Sequence, residues 1–98
     1  LTIDIKTNSQ IYIPDAFTPN HDGKNDFYYL SGENICSINY SIYNRWGNIV
    51  FKANNINDKW DGRYMDKMQA TEGYTVFGNI NFCDGSKQAI KKRIHLLH

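Results

Sequence analysis

The sequence predicts an all-β sandwich, and three observations carry that prediction. Short runs alternate apolar with polar residues, turn-forming residues separate the runs, and aromatic residues make up 14% of the 98 positions. Seven Tyr and five Phe are many for so short a chain. Aromatic and β-branched side chains suit a half-buried pleated surface. Strict alternation is the pattern of a strand with one dry and one wet face. No stretch shows helical spacing of useful length, and there are no repeats or low-complexity tracts.

Thr2 to Ile5 alternates and predicts a short strand. Ile11, Tyr12 and Ile13 predict a second, ended by Pro14, which lacks a backbone donor and belongs at a strand end or edge. The run from Thr18 to Asp26 is rich in Asn, Asp, Gly and Pro, each of which favours turns. Asp26 to Leu30 returns to strand composition, and Ser31 to Asn34 reads as a gap. From Cys36 to Tyr43 the alternation is strict, with Ile38, Tyr40 and Ile42 on one face and Ser37, Asn39 and Ser41 on the other. Asn44 to Asn48 is a turn leading into Ile49-Val50-Phe51, which together predict a hairpin. Asn54 to Asp58 is loop, Trp60-Asp61-Gly62 is an aromatic anchor running into a turn, and Tyr64 to Thr71 is read as loop. Gly73 to Phe82 alternates with Tyr74, Val76, Ile80 and Phe82 on one face. Asp84-Gly85 is a hairpin turn signal. Lys87 to Leu97 is the last strand, with Ile90, Ile94 and Leu96 aligned. The total is about seven or eight strands, at the spacing expected of a sandwich.

A length of 98 residues bounds the chain to one domain, enough for a single core. The formal net charge of +1 gives no electrostatic reason to expect nucleic acid as a partner. Lys91, Lys92 and Arg93 read as a solvated strand segment whose charge guards a sheet edge. No run approaches the roughly 20 apolar residues of a membrane helix. Leu1 to Ile5 reads as strand rather than signal peptide, so an exported protein would contain this chain as one piece of something longer.

Cys36 and Cys83 form no C-x-x-C pair, which argues against a zinc or thiol-redox motif. Strict alternation puts Cys36 on the Ile38 face and Cys83 opposite the Phe82 face. A bridge would need a bulge or strand end at one of them. The exacting geometry of a disulfide weighs toward unpaired thiols.

Catalysis needs converging acids, bases or nucleophiles. His21 sits in a turn and His95 and His98 at the tail, and no H-E-x-x-H, G-x-S-x-G or phosphate-cradling motif is present. The chain is therefore read as a non-enzyme without a cofactor. Asn20, Asp22 and Asp26 are oxygen donors of the kind calcium prefers. Aligned to a calcium-binding EF-hand loop, however, the bidentate Glu position falls on Tyr29. Asn and Asp side chains bonding their own backbone, with Gly23 at positive φ, is the favoured reading. Trp46 and Trp60 could stack on a glycan. Because turn residues follow each, they are read instead as core anchors.

The run Ile11-Tyr12-Ile13-Pro14-Asp15-Ala16-Phe17-Thr18-Pro19-Asn20-His21-Asp22-Gly23-Lys24-Asn25-Asp26 closely resembles the opening of the gliding-motility-associated C-terminal domain. That family is also described as the type B C-terminal sorting domain of the type IX secretion system. Asp15 stands where the family usually has Asn, and His21 where it has Gly. The resemblance continues through Ile42-Tyr43-Asn44-Arg45-Trp46-Gly47, Val50-Phe51, Trp60-Asp61-Gly62, Gly73-Tyr74-Thr75-Val76 and the closing Arg93-Ile94-His95-Leu96-Leu97. Lys92-Arg93 departs from the usual Gly-Thr before the last strand, and His98 from the usual basic ending. The match covers about residues 10 to 97, with 1–9 as preceding linker or first strand and 10–98 as the domain.

The resemblance implies an immunoglobulin-like antiparallel sandwich. It also implies a role at the C-terminus of a larger surface or secreted protein, many of which are adhesins. The partners it implies are the type IX translocon and companion outer-membrane proteins. The route is through the periplasm to the cell surface or medium. The isolated domain is expected to be a monomer, peripheral to the outer membrane. Turn richness and terminal position point to Phe17, Thr18, Pro19, Asn20, Asp22, Gly23, Asn25, Asp26, Arg93 and Leu96 for partner recognition. Asn44, Arg45, Trp46, Gly47, Trp60, Asp61 and Gly62 are expected to act as structural motifs. The alternatives are a glycan- or protein-binding module of an adhesin and a structural spacer. Exposed aromatics at Trp46 or Tyr28-Tyr29 would favour the module, and buried tryptophans would count against it.

Overall fold

The structure, a computed structural model, describes residues 9–19, 26–70 and 72–97. It is all-β, with nine strands among those residues: β1 Gln10–Tyr12, β2 Ala16–Phe17, β3 Ser31–Glu33, β4 Ile35–Tyr43, β5 Ile49–Ala53, β6 Arg63–Tyr64, β7 Lys67–Met68, β8 Gly73–Phe82 and β9 Lys87–Leu96. Five strands form the main sheet in the order β2-β9-β8-β4-β5. The three long strands are antiparallel neighbours, with Ile42 opposite Val76 and Val76 opposite Lys92. The expectation of a purely antiparallel sheet is corrected at one edge. There β2 runs parallel to the end of β9, pairing Ala16 with His95 and Phe17 with Leu96.

Alternation explains the layers. Ile38, Tyr40 and Ile42 of β4, Tyr74, Val76, Ile80 and Phe82 of β8, and Ile90, Ile94 and Leu96 of β9 are all buried. Each fully buried aliphatic of this kind contributes roughly 1.5–3 kcal/mol. Facing them are Tyr28, Leu30 and Trp60, with Ile11 and Ile13 packed against the same cluster. The covering layer holds the β1–β3 pair and a bridge between Tyr28 and Trp60, whose amides and carbonyls bond reciprocally at 2.8 Å. This two-layer arrangement around one core agrees with the immunoglobulin-like sandwich class.

Three segments differ from the sequence reading. Ser31–Glu33, read as a gap, is β3, because its pairing with β1 uses backbone groups and needs no apolar side chains. Asp26 to Leu30, read as a strand, pairs only through Tyr28. The stretch from Tyr64 to Thr71, read as loop, holds most of a two-stranded hairpin, β6 with β7, whose turn residues Met65 and Asp66 have φ of 53° and 64°. Two consecutive positive-φ residues define the turn that suits the twist of a hairpin, and a Met there carries no turn signal. The strand expected over Thr2 to Ile5 lies outside the described residues.

Cys36 and Cys83 are joined, with Cα atoms 4.9 Å apart, correcting the reading of free thiols. The physical reason is a bulge. Ile35 pairs with Phe82 and Ser37 with Asn81, leaving Cys36 as the extra residue on β4. A bulge re-aims its side chain, here towards Cys83 just beyond the end of β8.

Candidate functional site

The sequence motifs far apart along the chain meet at one end of the sandwich. Trp60 is at their centre. Its indole is 1% exposed and packs on Phe17 and on Tyr74, each with ring centroids 5.3 Å away. The Nε1–H donates to the Arg63 carbonyl at 2.9 Å, satisfying the one polar group that a buried Trp carries. Asp61 accepts the Arg63 amide at 2.9 Å and so closes a local turn. Gly62 follows at φ 84°, and a Cβ there would lie 3.1 Å from Pro19 and 3.2 Å from Leu96. The W-D-G motif thus packs against the Thr18-Pro19 segment and the last strand. Only glycine meets both the backbone conformation and the close approach.

The chain termini of these elements are tied to one another. The Leu97 amide donates to Phe17 O at 3.0 Å, the His95 amide to Asp15 O at 2.9 Å and the Leu96 amide to Glu72 O at 3.1 Å. The Tyr74 hydroxyl donates to Ala70 O at 2.7 Å, and burial followed by the nearby Glu72 pushes its pKa up to about 12. The Tyr28 hydroxyl, raised further by burial, donates to Pro14 O at 3.0 Å. Lys92 reaches across to Ile13 O at 2.9 Å and to Asp15 at 2.7 Å. The part of the basic run read as a solvated edge therefore fastens the strand to the segment before β2.

The N-R-W-G turn lies at the same end. Asn44 Oδ1 accepts the amides of Trp46 at 2.9 Å and Asn48 at 3.0 Å, and Gly47 adopts φ 81°. Arg45 sits 3.6 Å from Glu72, next to the start of β8, and 4.7 Å over the Trp46 ring. Trp46 itself is 73% exposed, which corrects the expectation of a core anchor. Asn44 and Gly47 close the turn without it, and the indole remains on the surface. Trp60 is buried as expected, and the Tyr28-Tyr29 pair divides, with Tyr28 inside and Tyr29 exposed. Trp46 and Tyr29 therefore meet the condition set for a binding module, whereas Trp60 and Tyr28 count against it.

Of the residues expected to meet a partner, Phe17, Pro19 and Leu96 are buried and build the end from within, while Arg93 is exposed on β9. Asp26 and Pro19 line a shallow depression of about 350 Å³ with Asp61 and Asp66. Asn20, Asp22, Gly23 and Asn25 lie outside the described residues, so the calcium reading falls largely outside them too. Among the described residues no three His, Cys, Asp or Glu side chains draw together as a metal site. Sequence reasoning missed Phe77, an exposed aromatic on the outward face of β8. The alternation that put Tyr74 and Val76 inside carries that signal.

The geometry is that of a rigid shape built from shared packing. The sequence matches the model of the type IX secretion signal domain (CHU_C) over residues 11–96. The chain belongs to this family. No curated protein and no solved structure matches it. The type IX secretion signal domain is a sorting domain and not a catalytic family, and its role is to engage the type IX secretion system for export to the cell surface or the extracellular space. The match spans the segments that converge around Trp60.

Proposed function

We propose that residues 10–98 form the sorting unit, that 1–9 lead into it, and that the translocon reads the end built around Trp60. The observation that supports this reading is the convergence of the Phe17–Pro19, N-R-W-G, W-D-G and β9 segments at that end. A translocon that handles many cargoes must recognise a feature common to them, and a packed end offers a fixed shape. On this reading the cargo is a larger surface or secreted protein such as an adhesin. It enters the periplasm by its own N-terminal signal and crosses the outer membrane with companion membrane proteins. The domain itself is a monomer, peripheral to that membrane.

The test fuses the chain to the C-terminus of a reporter bearing a signal peptide, in hosts with and without the translocon. Reporter outside the outer membrane only when the translocon is present supports the reading, and retention in the periplasm under both conditions refutes it. Replacing residues 20–25 by Gly and Ser, with Phe17 to Pro19 left intact, asks whether the loop is read. Unchanged export would remove the loop from the recognition surface. Exposed Trp46 and Tyr29 favour a second activity, ligand binding, beside sorting.

A further inference from the structure

The main sheet has an outward face whose charge and aromatic content, Arg93 apart, the sorting role does not use. Across the strands, Lys91 lies beside Phe77, Phe77 beside Ser41, and Ser41 beside Lys52. In an adjoining row Arg93 lies beside Thr75 and Thr75 beside Tyr43. Neighbouring strands are about 4.8 Å apart, so the row from Lys91 to Lys52 spans about 14 Å. No carboxylate occupies either row. Among the described residues Lys52, Lys91 and Arg93 have no ion-pair partner, and the nearby Glu72 is engaged by Arg45.

Phe77 is 51% exposed in the middle of this polar face. The core packs on the other side of β8, so the exposed ring adds little to folding. Phe77 and Tyr43 form a low ridge between two shallow depressions. One, of about 500 Å³, lies towards Arg45, Lys91 and Arg93. The other, of about 320 Å³, lies towards Lys52, Asn39 and Asn79. Aromatic faces, amide groups and unpaired cations thus form one continuous open surface.

We propose that this face binds an acidic polysaccharide. Sugar rings rest on Phe77 and Tyr43, and acid groups meet Lys91, Arg93 and Lys52. The charge of the face favours an anionic partner. Its flatness and its length of several strand spacings suit an extended chain rather than a small molecule. The amides of Asn39 and Asn79 can donate to and accept from hydroxyls. An acidic polypeptide fits less well. The edge strand β5 could accept an added strand beside Lys52. Strand addition needs a free sheet edge, however, and β8 is paired on both sides by β4 and β9, so a peptide added at β5 would not cross Phe77. This activity is separate from export.

The test measures binding of the chain to alginate, a carboxylated polysaccharide, beside neutral dextran and poly-glutamate, by affinity electrophoresis and calorimetry. Alginate is expected to bind, dextran not to bind, and poly-glutamate to bind more weakly. Phe77→Thr keeps a strand-forming residue at an exposed site and should weaken alginate binding about tenfold, the loss of one good stacking contact of about 1.4 kcal/mol. Lys91→Gln with Arg93→Gln should weaken it further, whereas Lys59→Gln, beside Phe27 and Tyr29, should not. Thermal melts check that each variant folds. Absence of alginate binding overturns the proposal. So does poly-glutamate binding as tight as alginate with Phe77→Thr without effect, which would mark an acidic polypeptide surface.

Discussion

Removing the Cys36–Cys83 bridge should cost this domain a large part of its stability. The two residues are 47 apart in sequence, so the bond closes most of the β4-to-β8 excursion into one loop. Closing a loop of about 48 residues removes roughly 14 cal/mol/K of entropy from the unfolded chain, or about 4 kcal/mol at 25 °C. Both cysteines are exposed and one is a bulge residue, so little native packing is lost with the bond. The effect therefore acts on the unfolded chain. A domain of this size is typically stable by roughly 5–15 kcal/mol, so a loss of about 4 kcal/mol is roughly a quarter to four-fifths of the total. In melting temperature the loss corresponds to about 15–30 °C, at about 4–8 °C per kcal/mol for chains of this length. The assay is urea unfolding of the wild type with and without reductant, and of Cys36→Ser, Cys83→Ser and the double variant. The two single variants and the double variant should lose the same amount, since each removes one bond. A loss under about 1 kcal/mol would refute the reasoning, because it would mean that the unfolded chain already holds residues 36 and 83 together.

Two further predictions separate residues that look alike in the sequence. Trp60→Ala should destabilise by about 3–5 kcal/mol, as expected for emptying a large buried site, whereas Trp46→Ala should change stability by no more than about 0.5 kcal/mol, as at an ordinary surface position. Chemical denaturation reads both, and equal losses would overturn the assignment of one indole to the core and the other to the surface. The Asp84 carboxylate is held down to about 2 by the Ser86 hydroxyl, then the Ser9 hydroxyl, then the Ser86 amide, at 2.6, 2.5 and 2.8 Å. Its folded value lies below the usual aspartate value of about 3.9. What it adds to stability is therefore present above about pH 4 and is lost as pH falls towards 2. Ser86→Ala should move the Asp84 titration upwards in a carbon-detected NMR experiment, and an unmoved titration would refute the cause.

Alternation made the long strands legible because β4, β8 and β9 each bury one face and wet the other. β8 matches its predicted bounds, Gly73 to Phe82, at both ends. Short elements were harder to read because their pairing rests on backbone groups. β3 contains Ser31, Gly32 and Glu33, and β2 joins the sheet through two residues only. The disulfide was hidden by the same rule that revealed the strands. Strict alternation aims Cys36 and Cys83 apart, and the single residue of the bulge reverses that aim. The two tryptophans show the limit of local reading for the site. Both precede turn residues, yet Trp60 pairs with Tyr28 in the covering layer and is enclosed, while Trp46 tips a hairpin whose closure Asn44 and Gly47 supply.

The burial of the motif residues bears on what a family match says about recognition. Phe17, Pro19, Trp60, Gly62, Tyr74 and Leu96 are all inside. A partner would not touch these side chains and could sense them only through the shape they impose on the end. The side chains available for contact there include Arg45, Trp46 and Arg93, which lie on turns or outward strand positions where packing does not dictate identity. The motifs therefore report how the end is built, and the exposed residues around it determine what a partner meets. Export should accordingly tolerate changes at Arg45, Trp46 or Arg93 taken singly if shape alone is read, and should fail at one of them if a side chain is read.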